Sequence, residues 1–205
     1  IADPIGNRAE RRTRFDRLER LAMLLRENEA ALCESLQADF GQRSLSNAAM
    51  TEIAYPISAI RYAQKHLRAW MKDEPRKVAL LPRLLGARAR VRHQPLGVIG
   101  VISPWNFPVN LAVAPLTDIL AAGNRAMVKP SEHTPRNSAL LAELVARYFS
   151  DEEVAVFPGG LEAGEAFARL PFDHLVFTGA GSIARHVARA ASENLVPLTL
   201  ELGGK

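Results

Sequence analysis

The stretch LGVIGVISPWNFP, residues 96–108, is the most informative part of this chain for predicting its fold. Residues 97–103 form a near-continuous apolar run, which is typical of a β-strand buried on both faces. Helices are predicted over 135–148 and 183–192, among four further short strands at 126–129, 154–157, 174–177 and 197–201. Strands that alternate with helices predict an α/β fold, here a doubly wound, mostly parallel, Rossmann-like sheet.

Each predicted strand of this sheet ends in a turn that contains polar residues or glycines. The five turns are residues 103–106, 129–132, 157–160, 178–181 and 201–204. Open parallel sheets bind their ligands at the carboxyl ends of the strands. The turns therefore predict one ligand site along this edge of the sheet.

The residues before the sheet are predicted to form an N-terminal helical region, 1–75. Apolar residues recur at helical spacing over 15–25 and again over 32–40, and Gly41 ends the second helix. A further amphipathic helix is predicted over 50–71.

Residues 76–95 are predicted to form a β-hairpin arm, with strands at 78–81 and 87–92 around a break at 82–86. Such an arm is either an oligomerisation contact or a plain surface hairpin. The remainder, 96–205, is the predicted dinucleotide-binding α/β domain.

Composition places the chain among globular proteins, because 48% of its 205 residues are hydrophobic and 23% are charged. The apolar runs, such as 109–116, are far shorter than the roughly 20 residues of a membrane span, so no membrane partner is expected. The chain does not open with a signal peptide, and its single cysteine, Cys33, fits a reducing compartment. Together these features predict a cytoplasmic protein.

The net charge of +4 does not indicate nucleic-acid binding. Seven arginines lie within residues 8–26, but Glu10 precedes Arg14 by four residues and Asp16 precedes Arg20 by four. This spacing stabilises a helix and predicts a solvated face. The five histidines have no ligand spacing with cysteines or carboxylates, so no metal is predicted.

A glycine-containing motif, G-x-G-x-x-[G/A], lies between the fourth strand of the sheet and the helix after it; its members are Gly179, Ala180, Gly181, Ser182, Ile183 and Ala184. Glu201 follows about 20 residues later, as in dinucleotide-binding proteins. The conventional fingerprint lies on the first strand, however. The motif therefore predicts only a turn at a helix N-terminus that can face a pyrophosphate.

Lys129 and Glu132 close the second strand of the sheet. An acidic side chain at this position can accept hydrogen bonds from ribose hydroxyls and opposes an extra 2′-phosphate. The lysine adds a positively charged donor. The pair favours NAD, with NADP as the alternative cofactor; taken alone, it is equally consistent with a surface ion pair on a turn.

A series of short motifs recurs in a specific order and spacing: PWNFP (104–108), AGN (122–124), KPSE (129–132), FTG (177–179) and LELGGK (200–205). This series resembles the aldehyde dehydrogenase superfamily over nearly the whole chain. The segment LVPLT (195–199) and the short N-terminal region resemble its class 3 and coniferyl-aldehyde-dehydrogenase-like branch. The resemblance implies NAD(P)-dependent oxidation of a small-molecule aldehyde to a carboxylic acid, through a cysteine thiohemiacetal and a thioester, in a homodimer.

The resemblance also implies residue roles. Asn106 donates its side-chain amide to the oxyanion, and Glu201 is the general base that activates water. Lys129 and Glu132 hold the adenosine ribose, and residues 179–184 lie at the pyrophosphate. The other implied cofactor-binding residues are Ile102, Ser103, Pro104, Trp105, Gly159, Leu202 and Gly203.

Three departures qualify this resemblance. Ala180 stands where the family usually has serine, and Ala184 where it usually has glycine, which bears on cofactor affinity. The family's nucleophilic cysteine lies a few tens of residues beyond the Glu201 motif, so the chain is expected to end before it and to be inactive alone. Cys33 lies on the apolar stripe of a helix and does not replace it.

Two other functions fit the same residues. One is a non-catalytic dinucleotide-binding or assembly module of this fold. The other is a CoA-acylating relative of the dehydrogenases, although Glu201 favours hydrolysis of the thioester by water.

Overall fold

The computed structural model describes residues 8–203, and their first third is helical. The elements are α1 (Arg8–Glu27), α2 (Glu29–Phe40), α3 (Leu45–Ala48) and α4 (Tyr55–Trp70), with a six-residue π-helix, Ala49–Ala54, between α3 and α4. Gly41 has a φ of 78° and ends α2 as predicted. The helix predicted over 50–71 begins earlier, at Leu45, and passes through the π-helix before α4.

The arm is a hairpin whose first strand was predicted at the wrong residues. Strand β1 (Glu74–Arg76) pairs antiparallel with β2 (Ala89–Val91), and the short helix α5 (Leu80–Leu84) lies between them. The predicted strand 78–81 runs into α5, where the N–H groups of Arg83 and Leu85 donate to carbonyls three or four residues back. Since these backbone groups are bonded locally, they cannot pair with another strand.

Within residues 8–203 the main sheet has five strands: β3 (Val98–Ile102), β4 (Arg125–Lys129), β5 (Val154–Val156), β6 (His174–Gly179) and β7 (Leu198–Leu202). All pairs are parallel, in the order β5-β4-β3-β6-β7. The connecting helices are α6 (Asn110–Ala121), α7 (Pro135–Tyr148), α8 (Leu161–Ala168) and α9 (Gly181–Ser192). The chain moves outward from β3 to β5 and returns to β6 on the other side of β3, so the predicted doubly wound sheet is confirmed, with its switch point between β3 and β6.

Apolar side chains cover both faces of this sheet. Ile99 and Val101 of β3 belong to a core that also contains residues of α1, α2, α4, α6 and α7. Val98 and Ile102 point the other way and pack against a smaller core formed with α8 and α9. This two-residue alternation explains why β3 is apolar at nearly every position.

The start of β3 is held by the turn after α6. Asn124 accepts hydrogen bonds through Oδ1 from the backbone N–H groups of Leu96 (2.6 Å) and Gly97 (3.0 Å).

Arg14 packs against the same turn: a Cβ on Gly123, whose φ is 87°, would lie 2.7 Å from Arg14 Nε. Arg14 is only 6% exposed and donates to the carbonyl of Ala121. The prediction that this arginine lies on a solvated face is therefore wrong.

Membrane-spanning helices and metal-binding clusters are both absent from the part of the chain that the structure describes. Among residues 8–203, no helix combines the length and the apolar character needed to cross a membrane. The same residues contain no cluster of three histidine, cysteine or acidic side chains that could hold a metal ion.

Candidate functional site

The strand register brings the predicted turns to one edge of the sheet. Ile102 lies beside Lys129 on one side and Phe177 on the other, and Thr178 lies beside Glu201. The carboxyl ends of neighbouring strands are therefore level with one another. We call this side of the sheet the carboxyl edge.

The loop after β3 carries both buried and exposed groups at the carboxyl edge. Ser103 is buried, its N–H donates to the carbonyl of Lys129 (3.1 Å), and its Oγ has no hydrogen-bond partner within residues 8–203. Trp105 is half exposed, with its ring centroid 6.2 Å from that of Phe40. Asn106 is exposed and its side chain makes no hydrogen bond within the described residues, so its amide is free to meet a ligand.

Lys129 is buried, unlike an ordinary surface lysine. Its side chain is 3% exposed, and Nζ donates to the carbonyl of Pro130 (2.8 Å). The Glu132 carboxylate lies 3.9 Å from Nζ and is 42% exposed. Burial lowers the pKa of Lys129, while the charge of Glu132 acts in the opposite direction. An ammonium group has three donors, so Lys129 can donate to a ligand beside Glu132.

The N-terminus of α9 is open at the carboxyl edge. Ala184 N donates to Ala180 O (3.0 Å), so the N–H groups of residues 181–183 precede the first hydrogen bond of the helix. These three residues are exposed, and a Cβ on Gly181 would have no atom within 4 Å. By contrast, Ala184 is buried against the sheet and its methyl group is accommodated there.

Gly179 and Gly159 have local packing explanations. A Cβ on Gly179 would lie 2.8 Å from the ring of Phe177, and one on Gly159 would lie 2.7 Å from the Cβ of Ala163. Gly159 follows β5, and both β4 and β3 lie between β5 and the switch point. Its predicted cofactor role stays a prediction.

Glu201 and Leu202 lie on the edge strand β7, and with Gly203 they are exposed. Within residues 8–203 the Glu201 carboxylate makes no hydrogen bond and no ion pair. One strand, β6, lies between β7 and β3, which corresponds to about 10 Å across the sheet at normal strand spacing. Asn106 and Glu201 therefore belong to the same edge without contacting each other. The last two residues of the LELGGK motif lie outside the described residues.

The sequence did not single out Glu52, a completely buried carboxylate within the π-helix. Its Oε2 accepts hydrogen bonds from Val109 N (3.1 Å) and Asn110 N (2.8 Å), at the start of α6. Its Oε1 lies 2.5 Å from Nη2 of Arg43, as an ion pair without regular hydrogen-bond geometry. Burial raises the pKa of Glu52, while the two N–H donors and Arg43 lower it.

A second carboxylate from the helical region acts in the same way on α7. Asp39 accepts hydrogen bonds from Arg136 N (3.2 Å) and Asn137 N (2.9 Å). The helical region thus holds the N-termini of both helices on its side of the sheet. Periodicity shows that these carboxylates lie on helices, but their partners are 57 to 98 residues away in sequence.

A cavity of about 330 Å³ lies away from the carboxyl edge, beside the start of the arm. Arg14, Trp70, His93 and Asp118 are among the residues that line it, and burial raises the pKa of Asp118. No residue of the predicted site contributes to this cavity. The residues to which the sequence analysis assigns catalytic roles, Asn106 and Glu201, lie at the carboxyl edge instead.

Comparison with known proteins finds one family. The model of the "Aldehyde dehydrogenase family" matches residues 7–205. A probable coniferyl aldehyde dehydrogenase of Caulobacter vibrioides is 55% identical over 199 residues, covering 96% of this chain and 40% of the relative. A coniferyl aldehyde dehydrogenase of Pseudomonas sp. is 53% identical over 192 residues, covering 94% and 39%. The chain thus spans about 40% of the length of these relatives.

Solved structures agree with this result. Substrate-bound AldH of Staphylococcus aureus superposes with a TM-score of 0.88 at 35% identity, covering 94% of this chain and 41% of that one. The aldehyde dehydrogenase of Mycobacterium tuberculosis, in complex with NAD+, gives 0.78 at 31% identity, covering 94% and 40%. PnpE of Pseudomonas in complex with nicotinamide adenine dinucleotide gives 0.81 at 29%, covering 94% and 39%.

Proposed function

The chain belongs to the aldehyde dehydrogenase family, and we propose that it binds NAD at the carboxyl edge and serves NAD-dependent oxidation of an aldehyde to a carboxylic acid. The observation that carries this proposal is the arrangement around the β3–β6 switch point. There a buried lysine with unused donors, an exposed carboxylate and an open helix N-terminus lie on one edge of the sheet. The family membership and the NAD-bound neighbours support the choice of cofactor.

The residues present fit a dinucleotide. The N–H groups of residues 181–183 can hold the pyrophosphate, because a helix N-terminus binds anions and Gly181 leaves space for close approach. Lys129 and Glu132 can bind the two hydroxyls of the adenosine ribose. The unpartnered Oγ of Ser103 offers a further polar contact. Ile102, Pro104, Trp105, Leu202 and Gly203, which lie at the ends of β3 and β7 or in the loop after β3, are proposed to complete the cofactor site. When bound, the nicotinamide accepts a hydride from the substrate.

Two exposed side chains are proposed for the chemistry. Asn106 donates its amide to the aldehyde oxygen as negative charge develops there. Glu201 accepts a proton from water that attacks the acyl group, which yields a carboxylic acid rather than an acyl-CoA. The two residues lie on opposite sides of the β6 end, so substrate can lie between them.

The nucleophilic cysteine is proposed to come from outside these 205 residues. Cys33, the single cysteine, is 4% exposed in the core between α2 and its neighbours. Burial raises its pKa, which keeps it as the unreactive thiol.

Two glycines with open surroundings test the pyrophosphate site. In both Gly181 and Gly164, an added Cβ would have no atom within 4 Å, so alanine is expected to preserve the fold at either position. Gly181→Ala places a methyl group where the pyrophosphate approaches and is expected to weaken NAD binding about tenfold, or about 1.4 kcal/mol. Gly164→Ala, on α8, is the matched control. Calorimetric titration with NAD measures both, and equal affinities would contradict the site.

Glu132 is proposed to set the preference for NAD over NADP. Glu132→Gln removes the charge that opposes a 2′-phosphate, so kcat/KM with NADP is expected to rise relative to NAD by about tenfold. Glu165→Gln is the control for loss of surface charge, because Glu165 is also exposed but lies on α8, away from the turn that carries Glu132. The assay uses the intact protein with coniferyl aldehyde, the substrate that names two close relatives. An unchanged ratio in Glu132→Gln would exclude the ribose role.

A homodimer formed through the arm is also proposed. Leu80, Leu81, Leu84 and Leu85 are between 64% and 83% exposed at the tip of the arm, and apolar clusters of this kind often mark subunit contacts. Sedimentation of the intact protein measures its oligomeric state. The cytoplasmic location stays a prediction.

A further inference from the structure

We propose that Arg43 and Glu52 are positioning residues for Asn106: together they hold the main chain of residues 106–110 so that the Asn106 amide faces the reacting carbonyl. This inference rests on the proposed function, which assigns Asn106 its role. Neither residue hydrogen-bonds to the Asn106 side chain, because their contacts with this loop are to main-chain groups. Both act through the loop that joins β3 to α6.

Glu52 holds the second half of this loop. Its Oε2 accepts from Val109 N and Asn110 N at 3.1 and 2.8 Å. Within the described residues, α6 receives no capping hydrogen bond from a side chain at its own start. A carboxylate at a helix N-terminus also interacts favourably with the helix dipole. Glu52 therefore fixes where α6 begins and in which direction it points.

Arg43 holds the first half. Its Nη1 donates to the carbonyl of Asn106 (3.0 Å), and Nη2 lies 2.5 Å from Glu52 Oε1. The guanidinium carbon lies over two rings, 4.8 Å from the centroid of Phe40 and 5.2 Å from that of Phe107. The side chain is only 10% exposed. One planar group thus binds the main chain of Asn106, the ring that follows it and the carboxylate that holds α6.

The position of Glu52 gives independent support. It lies in the π-helix, where Tyr55 N donates to Met50 O, five residues back. π-helical turns are rare and often occur at functional sites, since the extra residue redirects side chains. Burying a completely desolvated carboxylate is costly, and here its partners all lie on residues 106–110 or on Arg43. The contacts therefore converge on the segment that carries Asn106.

Arg43→Lys is the informative variant, because it keeps the charge while a single ammonium cannot make the forked and stacked contacts. Arg20 provides a matched control. It also pairs with a glutamate (Glu153, 2.8 Å), donates to a main-chain carbonyl (Tyr148, 2.7 Å) and lies over a phenylalanine ring (Phe149, 4.7 Å). Arg20→Lys therefore removes the same kinds of contact away from Asn106.

The kinetic test uses the intact protein with NAD and coniferyl aldehyde. Arg43→Lys is expected to lower kcat about 10- to 100-fold, with KM for NAD changed less than about twofold. Arg20→Lys is expected to leave kcat within about twofold at a similar loss of thermal stability. In an Asn106→Ala background, Arg43→Lys is expected to have no further effect on kcat. Equal kcat losses in the two lysine variants, or an undiminished loss in the Asn106→Ala background, would overturn the positioning role.

Hydrogen–deuterium exchange provides a readout that does not depend on activity. Arg43→Lys is expected to accelerate exchange in residues 106–111, and Arg20→Lys around 148–154 instead. Unchanged protection of 106–111 in Arg43→Lys would overturn the inference even in an inactive protein. Failure of the intact wild-type protein to oxidise any aldehyde with NAD would instead overturn the proposed function.

Discussion

Carboxylates behave differently at the interface between the N-terminal helices and the sheet unit than at the carboxyl edge. At that interface, Glu52 and Asp39 each accept two main-chain hydrogen bonds, and Glu153 accepts three from Arg17 and Arg20. At the carboxyl edge, Glu132 and Glu201 accept no hydrogen bond from residues 8–203. The residue types are similar, but their surroundings are not.

The difference separates groups that hold the fold from groups that can serve a ligand. A buried carboxylate must have donors, because desolvation is costly. An exposed carboxylate is solvated by water and needs no protein donor, so it can bind a ligand without loss of a structural hydrogen bond. Glu132 and Glu201 lie at the carboxyl ends of the strands, where doubly wound sheets bind their ligands. Substitutions on the two sides should therefore affect different properties.

The largest expected effect on stability is that of Glu52→Ala. The variant leaves Arg43 without its carboxylate and two N–H groups at the start of α6 without an acceptor, which should lower the free energy of unfolding by about 3 kcal/mol. Asp39→Ala removes a similar cap at a less buried position and should cost about 1 kcal/mol. Urea unfolding measures both. A larger loss for Asp39→Ala than for Glu52→Ala would contradict the view that the more deeply buried carboxylate contributes more to stability.

Glu153→Gln should have an intermediate effect that depends on pH. Hydrogen bonds from Arg20, then the one from Arg17, lower the pKa of Glu153 from 4.5 to about 2. A lowered pKa stabilises the folded state above the unfolded-state value, and this contribution is lost as the pH falls from about 4.5 to about 2. The variant should therefore be about 2 kcal/mol less stable than the wild type at pH 7, and the gap should narrow below pH 4.5.

Urea unfolding of the wild type and Glu153→Gln at a series of acidic pH values measures how the difference in their free energies of unfolding changes with pH. A gap that stays constant down to pH 2 would show that Glu153 does not act through its charge. Glu153 would then fit neither the hydrogen-bonded carboxylates of the helix–sheet interface nor the exposed carboxylates of the carboxyl edge.

Glu201→Gln should have the smallest effect on stability, within about 0.5 kcal/mol, because the carboxylate has no partner among residues 8–203. In the intact protein it should nevertheless slow carboxylic acid formation about 100-fold or more, since the amide cannot accept a proton from water. Unfolding experiments and product analysis separate the two properties. A clear loss of stability with normal acid formation would place Glu201 among the structural carboxylates.

Much of the sheet and its edge could be predicted from the sequence. Each strand of the main sheet lies within two residues of its predicted position, and α7 has its predicted bounds. Apolar runs, glycines and prolines act over a few residues, so they can be identified without knowing the tertiary structure. The register then places Lys129, Phe177 and Glu201 at one edge.

The arm shows where local patterns fail. Residues 78–81 have the apolar character of a strand, but pairing depends on which segments meet across the hairpin, and Glu74–Arg76 meets Ala89–Val91 instead. The prediction that Arg14 lies on a solvated helix face is wrong for a related reason. Its spacing from Glu10 indicates a helix, but the carbonyl of Ala121 that it reaches lies 107 residues away.

Local sequence patterns were therefore enough to infer the family, the order of helices and strands along the chain, and the edge of the sheet where the polar and glycine-containing turns lie. Which charges are buried and what they bind, as with Lys129, Arg43 and Glu52, could be seen only in the folded molecule. Periodicity and turn chemistry depend on neighbours along the chain, so they can be recognised without the fold. The state of a buried charge depends on desolvation and on partners that only folding brings within hydrogen-bond distance.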